Sequence, residues 1–468
     1  MSAPRAARVI VFGFDGLRPD MLHPDVTPNI LRVVGSGIRF ANSRSVFPSE
    51  TRVATPSFAT GCRPASHGLV GNQMFDAGVG RVLNTKNASD IDALVSAHGS
   101  LLQCPSLGAR LAASGRRLAV VWTGTVGAAR CMFPEADALG AIRWQPDDPN
   151  RFAAALAAAT PVPAADVPNT ARVRFAARLL IEKVLPGKPD VAVFWSSEPD
   201  VSFHYAGIGS DVARQALREA DACLGEVLAW RQFQPDAADI AVIVMSDHGH
   251  VTGEARIALE AALQGGGFHV AKDLSAGAIA LGGGGAPGLW VRGRDPALIA
   301  RLAAWLQAQD FVRLVLAREP GGMDGVLPLA PLGATHARAA DLAFVFAGGP
   351  GADRYGLPGH CLIEAADVPA GGGMHGGLHL RELATVLAIA VPGLHAGAVS
   401  DTPCDLTDIA PTILALLGLP HEGTDGVPLA EAWTGTPPPF TRESRPAHAG
   451  RVLNLFHARG RIYPDAAG

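Results

Sequence analysis

Five short runs of apolar, mostly β-branched residues constrain the fold more than any other feature of this chain. They are Val9 to Phe12, Leu118 to Trp122, Val191 to Trp195, Ile240 to Met245 and Leu342 to Phe346, each followed by a turn or helical pattern. A strand that is apolar at successive positions is covered on both faces, and strands of this kind alternating with helices predict an α/β fold. The expected architecture is a mostly parallel central sheet with helices on both faces. Ligands of such sheets gather at the carboxyl ends of the strands. Three polar clusters stand at that rim: Asp15 after the first run, Glu198-Pro199-Asp200 after the third and Ser246-Asp247-His248 after the fourth.

At 468 residues the chain exceeds the usual size of one domain, so an insertion or a second domain is expected. Between Gly249 and Met374 the pattern changes to a glycine run from Gly282 to Gly285, then Gly288 to Val291, a helical Pro296 to Gln309, and Phe311 to Leu316. This reads as a small inserted α+β cap. Strand-like character resumes at Asp341 to Ala347, and Leu380 to Ala388 reads as helix. The expected organisation is a catalytic core of residues 1–249 and 341–436, a cap of 250–340, and a weakly periodic tail of 437–468 opening with Pro437-Pro438-Pro439.

Hydrophobic residues make up 48% and charged residues 18%, the balance of a globular enzyme. A net charge of -4 with only short basic clusters such as Arg116-Arg117 argues against a long nucleic-acid partner. No membrane span is expected, because no uninterrupted apolar run approaches 18 residues. The first apolar run is too short for a signal peptide, and the six cysteines lack CxxC spacing. Both features read as a cytoplasmic protein with free thiols. Oligomeric state is left open.

The candidate chemistry is spread along the chain, and each piece has a plain structural alternative. Phe14-Asp15-Gly16 offers a carboxylate on a tight turn, although Asp-Gly after a strand is commonly just a turn. Thr51 stands at the start of a helix-like stretch, Val53 to Thr60, where either Thr51 or Ser49 would suit a helix cap. Asp200 and His204, four apart, share one helical face, and Asp247 is followed at once by His248. His375, in Gly373-Met374-His375-Gly376-Gly377, reads by itself as a loop histidine. Taken together these residues form a mixed oxygen and nitrogen donor set, which suits zinc better than magnesium and also fits manganese or iron.

In this order the motifs resemble the alkaline phosphatase superfamily, and most closely its nucleotide pyrophosphatase/phosphodiesterase branch. They comprise Val11 to Arg18, Thr27-Pro28-Asn29, Phe47-Pro48-Ser49-Glu50-Thr51 with Thr60-Gly61, His67 to Asn72, Glu198-Pro199-Asp200 with His204, Ser246 to Gly249, and His375-Gly376. The resemblance covers about the first 80 residues and the segments near 190–250 and 375–430, but not the cap. It implies two divalent cations, one bound by Asp200, His204 and His375, the other by Asp15, Asp247, His248 and the oxygen of Thr51. It also implies a phosphothreonine intermediate on Thr51 and an amide donated to a phosphoryl oxygen by Asn72. Arg52 is a substrate-binding candidate, its alternative being a solvated helix residue. The implied substrate is a small phosphate diester or pyrophosphate, with a phosphomonoester or a phosphonate such as phosphonoacetate as the alternative. A noncatalytic protein that binds metal or phosphorylated ligands is the third reading. No aromatic residues match those that stack a nucleotide base, and Cys62-Arg63-Pro64 does not match the sulfatase cysteine motif.

Overall fold

The computed structural model describes residues 6–157, 160–364 and 367–468. Its central sheet has eight strands: β1 (Arg8–Phe14), β2 (Ile38–Phe40), β3 (Leu118–Trp122), β4 (Ile142–Trp144), β5 (Val191–Ser196), β6 (Ile240–Met245), β7 (Leu387–Ala390) and β8 (Ala398–Ser400). Their spatial order is β8-β2-β7-β6-β1-β5-β3-β4. Strands β6, β1, β5, β3 and β4 are parallel, and β7 alone runs against its neighbours.

Alternation along each central strand divides its side chains between two cores. Val9 and Val11 of β1, Val191, Val193 and Trp195 of β5, and Ala241, Ile243 and Met245 of β6 join one cluster. Ile10, Phe12 and Phe14, Ala192 and Phe194, and Ile240, Val242 and Val244 join the other. Seven helices matter here: α1 (Pro28–Ser36), α2 (Thr51–Thr60), α3 (Val126–Met132), α4 (Thr170–Leu179), α5 (Asp200–Ala206), α6 (Asp211–Gln232) and α7 (Ile409–Leu416). Helices α2, α3 and α7 cover the first core, and α1, α4 and α6 cover the second. Among the described residues, no helix is long and apolar enough to cross a membrane.

Three elements differ from the sequence expectation. Leu342–Phe346 does not rejoin the central sheet; it lies inside a six-stranded sheet with Gly288–Val291 on one side and Val312–Ala317 on the other. Its unbroken apolar run reflects burial on both faces, which two different sheets supply equally well. Leu380 to Ala388 is not one helix: a short turn of helix, Leu380–Leu383, gives way to β7. An apolar run of this length does not by itself distinguish a helix from a buried strand. The tail is also more ordered than its weak periodicity suggested. Phe440–Pro446, Val452–Ala458 and Arg461–Ala467 form a three-stranded antiparallel sheet, and Leu453 and Leu455 pack into a cluster with Phe47, Leu378 and Leu383.

One packing contact links the core to the chemistry. The indole of Trp195 stacks on Trp122 at 4.7 Å between ring centroids and occupies the space beside Gly13, where a Cβ would fall 2.0 Å from the ring. The same indole donates from Nε1 to Asp15 Oδ2 at 3.2 Å. Gly13→Ala is therefore expected to lower the unfolding free energy by about 1–3 kcal/mol, the usual cost of overpacking. Denaturant titration measures this, and an unchanged midpoint would show that the indole can yield.

Candidate metal centre

The sheet register builds the centre. Gly13 of β1 pairs with Trp195 of β5 and with Met245 of β6, so the turns that leave these three adjacent strands start at one level. Backbone bonds then tie the turns together: Asp15 N–H donates to Ser196 O at 2.9 Å, and Asp200 N–H to Asp15 O at 3.1 Å. Ser246 adds a third tie, its hydroxyl donating to Leu17 O and accepting from Val386 N–H, each at 2.8 Å. Gly16 adopts φ +71°, a conformation open to glycine at little cost, and its N–H donates to Asp247 Oδ1. Asp15, Asp200, Asp247 and His248 thus converge from separate stretches of sequence.

Helix α5 places Asp200 and His204 on one face, with Nε2 of the histidine 3.2 Å from Asp200 Oδ1. His375 arrives from the far side of the cap. Gly373–Met374 pairs antiparallel with the start of Val251–Arg256, which sets His375 beside the residues that follow β6. Its ring stacks on that of His248 at 3.5 Å between centroids.

Thr51 is the first residue of α2 and is buried. Neither hydroxyl caps this helix; Glu50 holds the capping position without a side-chain bond. Ser49 is committed elsewhere, donating from its hydroxyl to Gly377 O at 2.9 Å and accepting from Gly376 N–H at 3.1 Å. Thr51 Oγ1 instead lies 3.1 Å from His248 Nε2. Asn72 sits beside this helix start: its Oδ1 accepts from Arg52 N–H at 3.1 Å, and its own N–H donates to Glu50. With the amide oxygen so engaged, the Asn72 NH2 is the end left to face a ligand. Arg52 donates from Nε to Thr85 Oγ1 at 3.2 Å, and its positive charge acts on Asp15.

Four imidazoles share one orientation. The Nδ1 atoms of His204, His248, His250 and His375 stand 2.6, 3.1, 3.0 and 2.9 Å from the carbonyl oxygens of Gly373, Gly249, Gly16 and Ser49. A carbonyl only accepts, so each Nδ1 carries the hydrogen, and each Nε2 is bare toward the centre whenever its ring is neutral. This is the usual support of metal-binding histidines.

The carboxylates are crowded in the same space. Burial, reinforced by Asp247 and Asp200, pushes the Asp15 carboxyl well above its ordinary value. Burial, with Asp200 adding to it, pushes Asp247 up to about 8. Burial also works against ionised Asp200, and positive charge on protonated His204 and His250 overrides it and holds that carboxyl well below its ordinary value; with the rings neutral, that charge has to come from a cation. Asp15 Oδ1, Asp200 Oδ1, Asp247 Oδ2 and His250 Nε2 are buried without a hydrogen-bond partner. Ligating atoms of Asp200, His204, His250 and His375 lie within 4.8 Å of one another, as do those of Asp15, Asp200 and His248. Bare acceptors turned toward one another fit divalent cations.

All seven predicted metal-type residues meet here, with Asn72 and Arg52 at the helix start beside Thr51. His250 was missed. Its signal was present in Asp247-His248-Gly249-His250, but the second histidine follows a glycine on a turn whose direction the sequence does not fix. A cavity of about 530 Å³ lies nearby, lined by Arg313, Phe346, Met374, Leu378 and Arg381 among others. Met374 and Gly377 flank His375, but the cavity is lined by none of the seven metal-type residues.

The chain is similar to several known proteins. Mouse bis(5'-adenosyl)-triphosphatase enpp4 is 22% identical over 256 residues, 52% of this chain and 47% of that protein. A Schizosaccharomyces pombe protein named as a pyrophosphatase/phosphodiesterase is 37% identical over 73 residues, 16% of this chain and 15% of that one. This chain therefore spans about half the length of the mouse relative, or less of the yeast one. The solved structure of murine ectonucleotide pyrophosphatase/phosphodiesterase 5 shares the fold, with a TM-score of 0.63 at 17% identity, covering 90% of this chain and 97% of that chain. The family described as type I phosphodiesterase / nucleotide pyrophosphatase matches residues 9–307, more than half of the sequence. The chain belongs to that type I phosphodiesterase/nucleotide pyrophosphatase family.

Proposed function

We propose that this protein hydrolyses small phosphate diesters or pyrophosphates through a phosphothreonine on Thr51, at a centre holding two divalent cations, zinc foremost. The observation that carries this reading is the convergence of three aspartates, three predicted histidines and one hydroxyl from five separate stretches of chain. Asp200, His204 and His375 would hold one cation, and Asp15, Asp247, His248 and Thr51 Oγ1 the other. The cations supply Lewis-acid chemistry, lowering the pKa of the Thr51 hydroxyl and neutralising charge on phosphoryl oxygens.

The chain's own groups set the rest of the reaction. Thr51 Oγ1 forms a bond to phosphorus as the bond to the leaving oxygen breaks; water then displaces the threonine oxygen and restores the hydroxyl. Two in-line displacements retain configuration at phosphorus. Asn72, fixed by Arg52 N–H and Glu50, donates its NH2 to a phosphoryl oxygen, a neutral donor compatible with the single charge of a diester. Arg52 favours substrates with a further anionic group, because its guanidinium has no carboxylate partner at salt-bridge distance among the described residues and its charge acts on Asp15. The relatives' names, a bis(5'-adenosyl)-triphosphatase and a nucleotide pyrophosphatase solved with AMP, make dinucleoside polyphosphates the first substrates to try.

Thr51→Ala is expected to abolish hydrolysis of bis-p-nitrophenyl phosphate while bound metal stays near two ions per chain; unchanged turnover would sink the proposal. Dialysis against a chelator should remove activity, and adding back zinc, manganese or iron in turn, followed by rate measurement, identifies the effective ion. Asn72→Ala is expected to lower kcat/KM for the diester by about 10²–10³-fold, as loss of one oriented donor does elsewhere. Rates with diadenosine triphosphate, p-nitrophenyl phosphate and phosphonoacetate, measured side by side, separate the diester reading from the monoester and phosphonate readings.

A further inference from the structure

We infer that His250 is a fourth protein ligand of the cation held by Asp200, His204 and His375, so that this cation sits among one carboxylate and three imidazoles; this rests on the two-cation reading above. The argument begins with the ring's protonation. His250 Nδ1 lies 3.0 Å from Gly16 O and carries its hydrogen there, which leaves a lone pair on Nε2. That lone pair stands 3.1 Å from Asp200 Oδ1, an acceptor. Both atoms are fully buried, and neither has a hydrogen-bond partner. A proton or a metal cation has to lie between two such buried atoms, and only a metal cation also engages His204 and His375, whose ligating atoms lie within 4.8 Å of these two.

The spacing matches such a cation. Asp200 Oδ1 lies 3.1 Å from His250 Nε2, 3.2 Å from His204 Nε2 and 3.6 Å from His375 Nε2. A tetrahedron with zinc bonds of 2.0–2.1 Å has edges of about 3.3 Å. The backbone also delivers His250 by design. Val251 pairs with Met374 in an antiparallel ladder, so the next rung sets His250 opposite His375, with their rings 4.9 Å apart. The ring fills a seat made by two glycines: a Cβ on Gly16 would fall 2.2 Å from His250 Cε1, and one on Gly373 would fall 2.9 Å from Cδ2.

The consequence is an unequal pair of cations. With one carboxylate and three imidazoles, the first would keep net positive charge and a tetrahedral shell filled by protein, admitting a substrate oxygen only by expanding to five-coordinate, whereas two carboxylates would neutralise the second. A nitrogen-rich shell also selects zinc, cobalt or iron over magnesium.

The test uses the full-length zinc-loaded protein and its cobalt-substituted form. In a crystal of the zinc protein, anomalous scattering should place His250 Nε2 about 2.0–2.1 Å from one of two ions. A separation beyond about 3 Å with both ions present overturns this inference alone, whereas a protein that takes up no metal overturns the two-cation reading itself. His250→Gln keeps a hydrogen-bond donor but not the imidazole. It should alter the visible spectrum of one cobalt ion and weaken binding of that ion about tenfold or more; an unchanged spectrum counts against direct ligation. If the variant does not fold, the wild-type distance decides.

Discussion

Repulsion among three crowded carboxylates, two of them buried and one partly so, is the constraint around which this molecule is arranged. Two like charges about 4 Å apart repel by about 4 kcal/mol at an effective dielectric near 20, and burial adds a desolvation cost for each. Asp15, Asp200 and Asp247 meet because three neighbouring strands end in register, not because their side chains attract. The scaffold imposes the arrangement and surrounds it with imidazoles whose Nε2 atoms stand 3.1–3.6 Å from carboxylate oxygens. Any cation bound there would therefore be coupled to the integrity of this rim.

Rigidity around the rim follows from the same need. Each imidazole is fixed by a backbone carbonyl, and the Asp15 carboxylate is held by an indole that is itself clamped between Trp122 and Gly13. Core packing and site geometry are thus one structure. A fold similar at 17% identity is understandable on these terms, since the register and its turns can persist while most side chains change.

Much of this was legible in the sequence where short-range rules apply. Apolar runs located β1, β3, β5 and β6 nearly to the residue, and the carboxyl-end rule drew attention to Asp15, Asp200 and Asp247. Positions governed by long-range pairing were less legible. Leu342–Phe346 has the same apolar character whichever sheet receives it, and β7 was hidden in an apolar stretch that a helix would also explain. His250 depends on a ladder with a segment more than a hundred residues away, and no local pattern encodes that pairing. Thr51 and Ser49 were equivalent as caps in one dimension; only the positions of Gly376, Gly377 and His248 separate them.

The closing three-stranded sheet has a bearing on how the molecule is made. Ala467 N–H donates to Leu378 O, three residues beyond His375, and Asp465 pairs with Arg44 ahead of α2. The last strand therefore clasps the two segments that bring His375 and Thr51 together. Asp465 and Ala467 follow every donor of the centre along the chain, so during synthesis the donors emerge before the strand that fastens them.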